Sequence, residues 1–270
     1  MTLETLEDVR TFIDRIAADL DPNSRYVREL RALVAESEDV EDLQARMLQG
    51  CRGLRHSGPI VFGEMLFEDQ LRANLITNET DVSRFESYEL QFIRSLLRGM
   101  YNPLGSLHIL VAPCSTGAEV YTYAMATIED GIAARIYGRD IQYEALRAAA
   151  SGVLDVGIPA RFLAQPAKVS EEVLGRTVFD LMDLLTFDSQ GLSGSYDLVS
   201  CRNFLGYFTL PVVQRVLANL VPCMRPGGAL VLDDFILSKH MDGSHSLVSD
   251  HLAALGLHRM APQYPVYVYR

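Results

Sequence analysis

A chain of 270 residues with 49% apolar side chains can bury one large core, or one core with a small appended unit, and leaves little of itself for disorder. Its 35 acidic against 24 basic residues give a formal charge of −11 with no Lys/Arg block, which disfavours nucleic acid and anionic membrane as partners. The cysteines Cys51, Cys114, Cys201 and Cys223 form no CxxC pair, no run approaches 18 apolar residues, and residues 1–10 lack the features of a signal peptide. A reduced, cytoplasmic protein is the expectation.

In chain order, Val9, Phe12, Ile13, Ile16 and Leu20 recur at helical spacing, then Tyr26, Val27, Leu30, Leu33 and Val34, then Val40, Leu43, Met47 and Leu48. Each stripe is too narrow to stand alone, and the outer faces are acidic. Residues 51–63, with Gly53, Gly58, Pro59 and Gly63, read as a linker. This divides the chain into an N-terminal helical region with linker (1–60) and a larger domain (61–270). The larger domain opens on a short helix over 64–74, a polar run at 77–81, and a helix from Phe85 to Met100 broken by Tyr101-Asn102-Pro103-Leu104-Gly105.

From there strand-like and helix-like segments alternate. Strands are predicted at 109–112, 134–138, 177–182, 196–201 and 229–232, and helices at 119–128, 144–150, 211–220 and 248–255. Residues 153–176 read as irregular or weakly helical, and 257–260 with 265–269 as a closing hairpin. The alternation predicts an α/β fold: a mostly parallel sheet with helices on both faces and a terminal antiparallel hairpin.

The first strand passes through Pro113-Cys114-Ser115-Thr116-Gly117 into a helix, which is neither a Gly-x-Gly-x-x-Gly turn nor a P-loop. The second strand ends on Asp140 and the third on Asp183. Strand ends of one sheet face one crevice, so turn and acids can converge on a ligand, one acid toward a ribose diol and the other toward a base edge. It is equally consistent that each acid only caps the helix after it. Arg202-Asn203 and Gly206-Tyr207-Phe208 put a cation, an amide and a phenol over the same edge, or simply serve solubility and packing. Arg84, between Asp81 and Glu86, also reads as a surface ion pair worth under about 1 kcal/mol. Asp233-Asp234, placed on a strand, would point to opposite faces, and the six histidines form no cluster, so no metal is expected. Ser115 lacks the Gly-x-Ser-x-Gly context of a hydrolase.

Several strings taken together carry a resemblance. These are Thr77-Asn78-Glu79-Thr80 with Arg84, Ala112-Pro113-Cys114-Ser115-Thr116-Gly117-Ala118-Glu119-Val120-Tyr121, Gly138-Arg139-Asp140-Ile141, Asp183-Leu184-Leu185, Cys201-Arg202-Asn203 with Tyr207-Phe208, and Met224-Arg225-Pro226-Gly227-Gly228. Over roughly residues 75–235 the chain resembles the chemotaxis-receptor glutamate methyltransferases, the CheR-type enzymes that use S-adenosylmethionine. The resemblance implies a Rossmann-like class I methyltransferase sheet. It implies that Ala112, Pro113, Cys114 and Gly117 pass under the cofactor's amino-acid portion, that Glu119 holds its ammonium, and that Asp140, with Ile141 beside it, binds the ribose. Asp183 and Leu184 would meet adenine, and Arg202 and Asn203 would line the cleft. Thr80 and Arg84 would border the methyl-transfer site, with Tyr207 near the acceptor. Arg84 and Tyr207 are the catalytic candidates.

The departures bear on the acceptor. Family members carry a small β-subdomain that docks the receptor, whereas residues 152–177 are short and lack alternation, so that subdomain is expected to be absent or vestigial. The first fifty residues are acidic where relatives are basic, Val82-Ser83 replace two aromatics, Arg139 a threonine and Asp183 an asparagine, and Asp233-Asp234 stand for Ser-Glu. The expectation is therefore methyl transfer to a small-molecule carboxylate or modified amino acid, as in a biosynthetic pathway. The alternatives are N- or O-methylation of a neutral metabolite, protein-glutamate O-methylation, and a non-catalytic cofactor-sensing interaction module. Whether the N-terminal helices form a lid or a dimer surface is left open.

Overall fold

The computed structural model describes residues 3–18, 25–43, 46, 88–154, 159–165, 168–242 and 245–269. Outside them lie Leu20, Met47, Leu48, the predicted linker at 51–63, the helix at 64–74, the polar run at 77–81 with Thr80, and Arg84 with its neighbours Val82, Ser83 and Phe85. The chain divides into two compact units, 1–79 with 207–212, and 80–206 with 213–270.

In the first unit α1 (Leu6–Ala17) packs on α2 (Arg25–Glu36). Thr5 and Asp8 cap α1 reciprocally: the Thr5 amide donates to Asp8 Oδ2 at 2.9 Å and the Asp8 amide to Thr5 Oγ1 at 3.2 Å. The predicted stripes are the buried ones, Val9, Phe12 and Ile13 on α1 and Val27, Leu30 and Val34 on α2. Residues 40–43 are helical, with Leu43 buried.

The second unit is built on a seven-stranded sheet. Its strands are β1 (Leu107–Val111), β2 (Ala134–Asp140), β5 (Thr177–Leu181), β6 (Tyr196–Ser200), β7 (Met224–Val231), β10 (Leu257–Ala261) and β11 (Tyr264–Tyr269), in the order β10-β11-β7-β6-β1-β2-β5. The five strands from β5 to β7 run parallel, and β11 lies antiparallel between β7 and β10. The strand order reverses at β1, which lies between β2 and β6, and the crevice beyond the carboxyl ends of these strands is where open α/β sheets bind ligands. The period-2 pleat sends Ile109 and Val111 to one face. There they join Ile136, Leu198, Ala229 and Val231 in a core with α3 (Tyr88–Met100) and α4 (Ala118–Glu129). Leu110, Val199 and Leu230 point the other way and are equally buried.

Three stretches depart from expectation. After α5 (Tyr143–Ser151) the supposedly irregular segment contains an antiparallel ribbon, β3 (Leu163–Gln165) with β4 (Lys168–Val169), then a single turn of helix, α6 (Glu171–Leu174). Strands of three and two residues are too short to show alternation, which is why the sequence concealed them. The Val169 amide donates to Gly152 O at 2.9 Å, Val153 bridges to Lys168, and Phe162 and Val169 join the core, so the ribbon is part of the fold.

Pro226-Gly227-Gly228 does not precede the fifth strand but lies inside it, as an irregularity between the pairs Tyr196–Met224 and Leu198–Ala229. Gly227 has φ 82°, and a Cβ on Gly228 would come within 2.8 Å of Arg225 O. Finally, Asp233 is not a strand residue. It caps α8 (Asp234–Lys239), an element the sequence reading omitted, and a short hairpin, β8 (Met241–Asp242) with β9 (His245–Ser246), follows. The remaining helices are α7 (Leu210–Leu220) and α9 (Leu247–Ala254). No helix among the described residues is long and apolar enough to cross a membrane.

Candidate cofactor site

The turn after β1 is shaped by two left-handed residues, Ser115 (φ 48°) and Gly117 (φ 86°). Gly117 opens α4, and a Cβ there would lie 3.0 Å from that of Ala149, so glycine is needed for both the dihedral and the close approach of α5. The turn is tied to its neighbours through the backbone. The Ala112 amide donates to Ser200 O at 2.9 Å and the Cys114 amide to Arg139 O at 2.8 Å. Pro113 follows a cis Ala112–Pro113 bond.

Asp140 closes β2 and is buried. Its Oδ2 accepts the Ser115 amide at 2.7 Å and its Oδ1 the Gln142 amide at 2.9 Å. Burial raises its carboxyl above the usual range, and the amides of Gln142, Ser115, Ile141 and Cys114 oppose that shift. Ser115 adds a buried hydroxyl with no partner among the described residues.

Glu119, in the first turn of α4, receives the Ser200 hydroxyl at 2.5 Å. Asp233, beyond β7, accepts the Asn203 amide at 2.9 Å through Oδ2 and the Ile236 amide at 3.0 Å through Oδ1, thereby joining the loops after β6 and β7. Asn203 itself is left-handed at φ 55°. The buried thiols record these carboxylates. Burial pushes Cys114 well up, reinforced by Asp140 and Glu119, and pushes Cys201 well up, reinforced by Asp233 and Glu119. Both stay protonated and are poor nucleophiles. Cys223 is likewise free and buried, and Cys51 lies outside the described residues.

The sequence-derived candidates therefore divide. The turn at Ala112, Pro113, Cys114 and Gly117, together with Glu119, Asp140 and Ile141, is assembled at the switch point, and Arg202 and Asn203 follow β6 directly. Asp183 lies two residues past β5 and holds its own turn, accepting the Leu185 amide at 2.9 Å and the Thr186 hydroxyl at 2.9 Å. Leu184 beside it is buried. Tyr207 is half-buried at the end of the one-turn helix Leu205–Tyr207 and belongs to the first unit. Thr80 and Arg84 fall outside the described residues. Sequence reasoning missed Ser200, Gln142 and the bridging role of Asp233. A serine directly after the apolar pair Leu198-Val199 at the end of a strand was the available signal for the first.

Residues 78–235 match the family described as CheR methyltransferase, SAM binding domain. The probable biofilm formation methyltransferase WspC of Pseudomonas aeruginosa is 29% identical over 152 residues, covering 50% of this chain and 36% of that protein. WspC of Pseudomonas putida is 31% identical over 140 residues, covering 47% of this chain and 33% of its own. The chemotaxis protein methyltransferase Cher2 of P. putida is 30% identical over 189 residues, covering 61% and 67% respectively. The matched stretch thus spans about a third of each WspC protein. With the match running through more than half of its length and over the strands that build the crevice, the chain belongs to the CheR methyltransferase family and carries its S-adenosylmethionine-binding domain.

Proposed function

We propose that this chain transfers the methyl group of S-adenosylmethionine to a carboxylate on a protein, a glutamyl side chain being the acceptor class. The observation that carries the cofactor half is the set of carboxylates bonded at the strand ends, Asp140 to the Ser115 amide, Glu119 to the Ser200 hydroxyl and Asp233 to the Asn203 amide, acids suited to a diol, a sulfonium and an ammonium. In this reading the turn from Ala112 to Gly117 underlies the amino-acid portion and Glu119 takes its ammonium. Asp140, at the end of β2, meets the ribose diol. Ile141, Asp183 and Leu184 flank adenine, with Arg202 and Asn203 along the cleft. Thr80 and Arg84 border the transferred methyl and Tyr207 flanks the acceptor. The cofactor supplies the electrophilic methyl, and the protein supplies alignment and exclusion of water. A carboxylate acceptor is ionised at neutral pH and requires no general base.

A small-molecule acceptor was the expectation from an absent or vestigial β-subdomain, an acidic N-terminal region and the changed residues on the acceptor side. The β3–β4 ribbon, of three and two residues, is short enough to be a vestige of that subdomain, and the relatives named as chemotaxis protein methyltransferases favour a protein acceptor. Incubation with methyl-tritiated cofactor and candidate receptor proteins tests the acceptor. Methyl esters release volatile methanol in base, so base-labile label on protein is expected. Base-stable label, or label confined to small molecules, would refute a protein carboxylate acceptor.

Affinity for the cofactor should also depend on pH. Asp140 accepts the diol best when ionised, and its carboxyl is raised, so affinity is full above that raised value and falls as pH drops through it, at higher pH than for an exposed acid. The same shift acts on stability with the opposite preference. The folded state holds this proton more tightly than the unfolded state, so the group's contribution declines as pH rises through the raised value. Calorimetric titration across about pH 4 to 8 should show the affinity falling on the acid side, and a flat profile would separate Asp140 from the ribose.

A further inference from the structure

Ser200 is the last residue of β6 and is fully buried, paired with Val111 on one side and Val231 on the other. It shares a strand face with Leu198, which lies in the apolar core under α4. A hydroxyl at such a position costs free energy unless it is bonded, and packing alone would favour an apolar side chain. Its single hydrogen goes to Glu119 Oε1 at 2.5 Å, across the gap between the end of β6 and the first turn of α4. A carboxylate cannot donate, so the direction of this bond is fixed. Glu119 is half-buried and its side chain has three rotatable bonds, and the bond from Ser200 fixes the place of its Oε1.

We infer that Ser200 is a positioning residue that aims the Glu119 carboxylate at the ammonium of the cofactor's amino-acid end. This inference rests on the cofactor reading above. It makes recognition of the amino-acid portion depend on a strand residue that itself touches no ligand, and it leaves recognition of the nucleoside to Asp140 and its neighbours.

Two ligands separate these halves: S-adenosylhomocysteine, which carries the amino-acid group, and 5′-methylthioadenosine, which lacks it. Isothermal titration should find Ser200→Ala about tenfold weaker for S-adenosylhomocysteine, as for a lost bond to a charged group, with methylthioadenosine binding unchanged. Glu119→Gln should show the same selectivity. The double variant should lose no more than Glu119→Gln alone, because the serine acts through the glutamate. Equal weakening of both ligands in Ser200→Ala would indicate general damage and overturn the inference, as would unchanged S-adenosylhomocysteine affinity or losses that multiply in the double variant. If the unaltered protein bound neither ligand, the cofactor reading itself would fall and take the inference with it.

Discussion

Asp140→Asn should lower the affinity for S-adenosylmethionine about a hundredfold, equivalent to roughly 2.7 kcal/mol, the largest binding effect expected of any near-isosteric change in this chain. Both carboxylate oxygens accept backbone amides, Ser115 at 2.7 Å and Gln142 at 2.9 Å. The asparagine NH2 must face one of those amides, donor against donor, or else the turn must move. Either result spoils the position of Ser115 and removes one of the acceptors available to the ribose. The substitution should also abolish the acid-side fall in affinity, since no titrating group is left there. Titration calorimetry reads both effects, and affinity within about threefold of the unaltered protein would mean that the ribose is bound elsewhere.

The largest stability effect is expected at Gly138, in the middle of the buried strand β2. A Cβ there would stand 2.7 Å from two ring carbons of Phe179 and 2.9 Å from Val120 Cγ2. Phe179 is held in place, since its ring packs edge-on to Tyr121 at 5.8 Å between centroids and also lies beneath Gly117. Tyr121 in turn donates its hydroxyl to the Ala149 carbonyl. Overpacking of this kind costs up to about 3 kcal/mol, and Gly138→Ala should approach that limit in urea denaturation. In a Phe179→Ala background the same substitution should cost clearly less, because the two ring contacts are gone and only the Val120 methyl at 2.9 Å still has to give way. A large cost that persists in that background would place the strain elsewhere.

The parts of the fold that the sequence disclosed are those built from long periodic segments. The helical stripes at Val9 and Val27, the strands through Ile109 and Leu198 and the closing hairpin all lie where their spacing put them. Asp140 was legible because strand ends converge by topology. The ribbon at residues 163–169 was not, because two- and three-residue strands carry no period. Asp233 was misread for a related reason. Only its bonds to the amides of Asn203 and Ile236 show that the strand has already ended and a helix begun. Ser200 was passed over because a single buried serine acquires meaning only from its partner, 81 residues earlier in the chain.

The antiparallel strand β11 has a consequence for how this protein is made. It follows every other strand in sequence, yet it pairs on both sides, with β7 and with β10. During synthesis, β7 can pair with β6 as soon as both have left the ribosome, but its outer backbone edge stays open until residues 264–269 emerge. That nascent species presents an unpaired edge carrying Ala229, Leu230 and Val231, all fully buried in the finished domain. Within this domain the sheet is thus completed last, and a chaperone that shields β-strand edges would act on it after most of its core had already been translated.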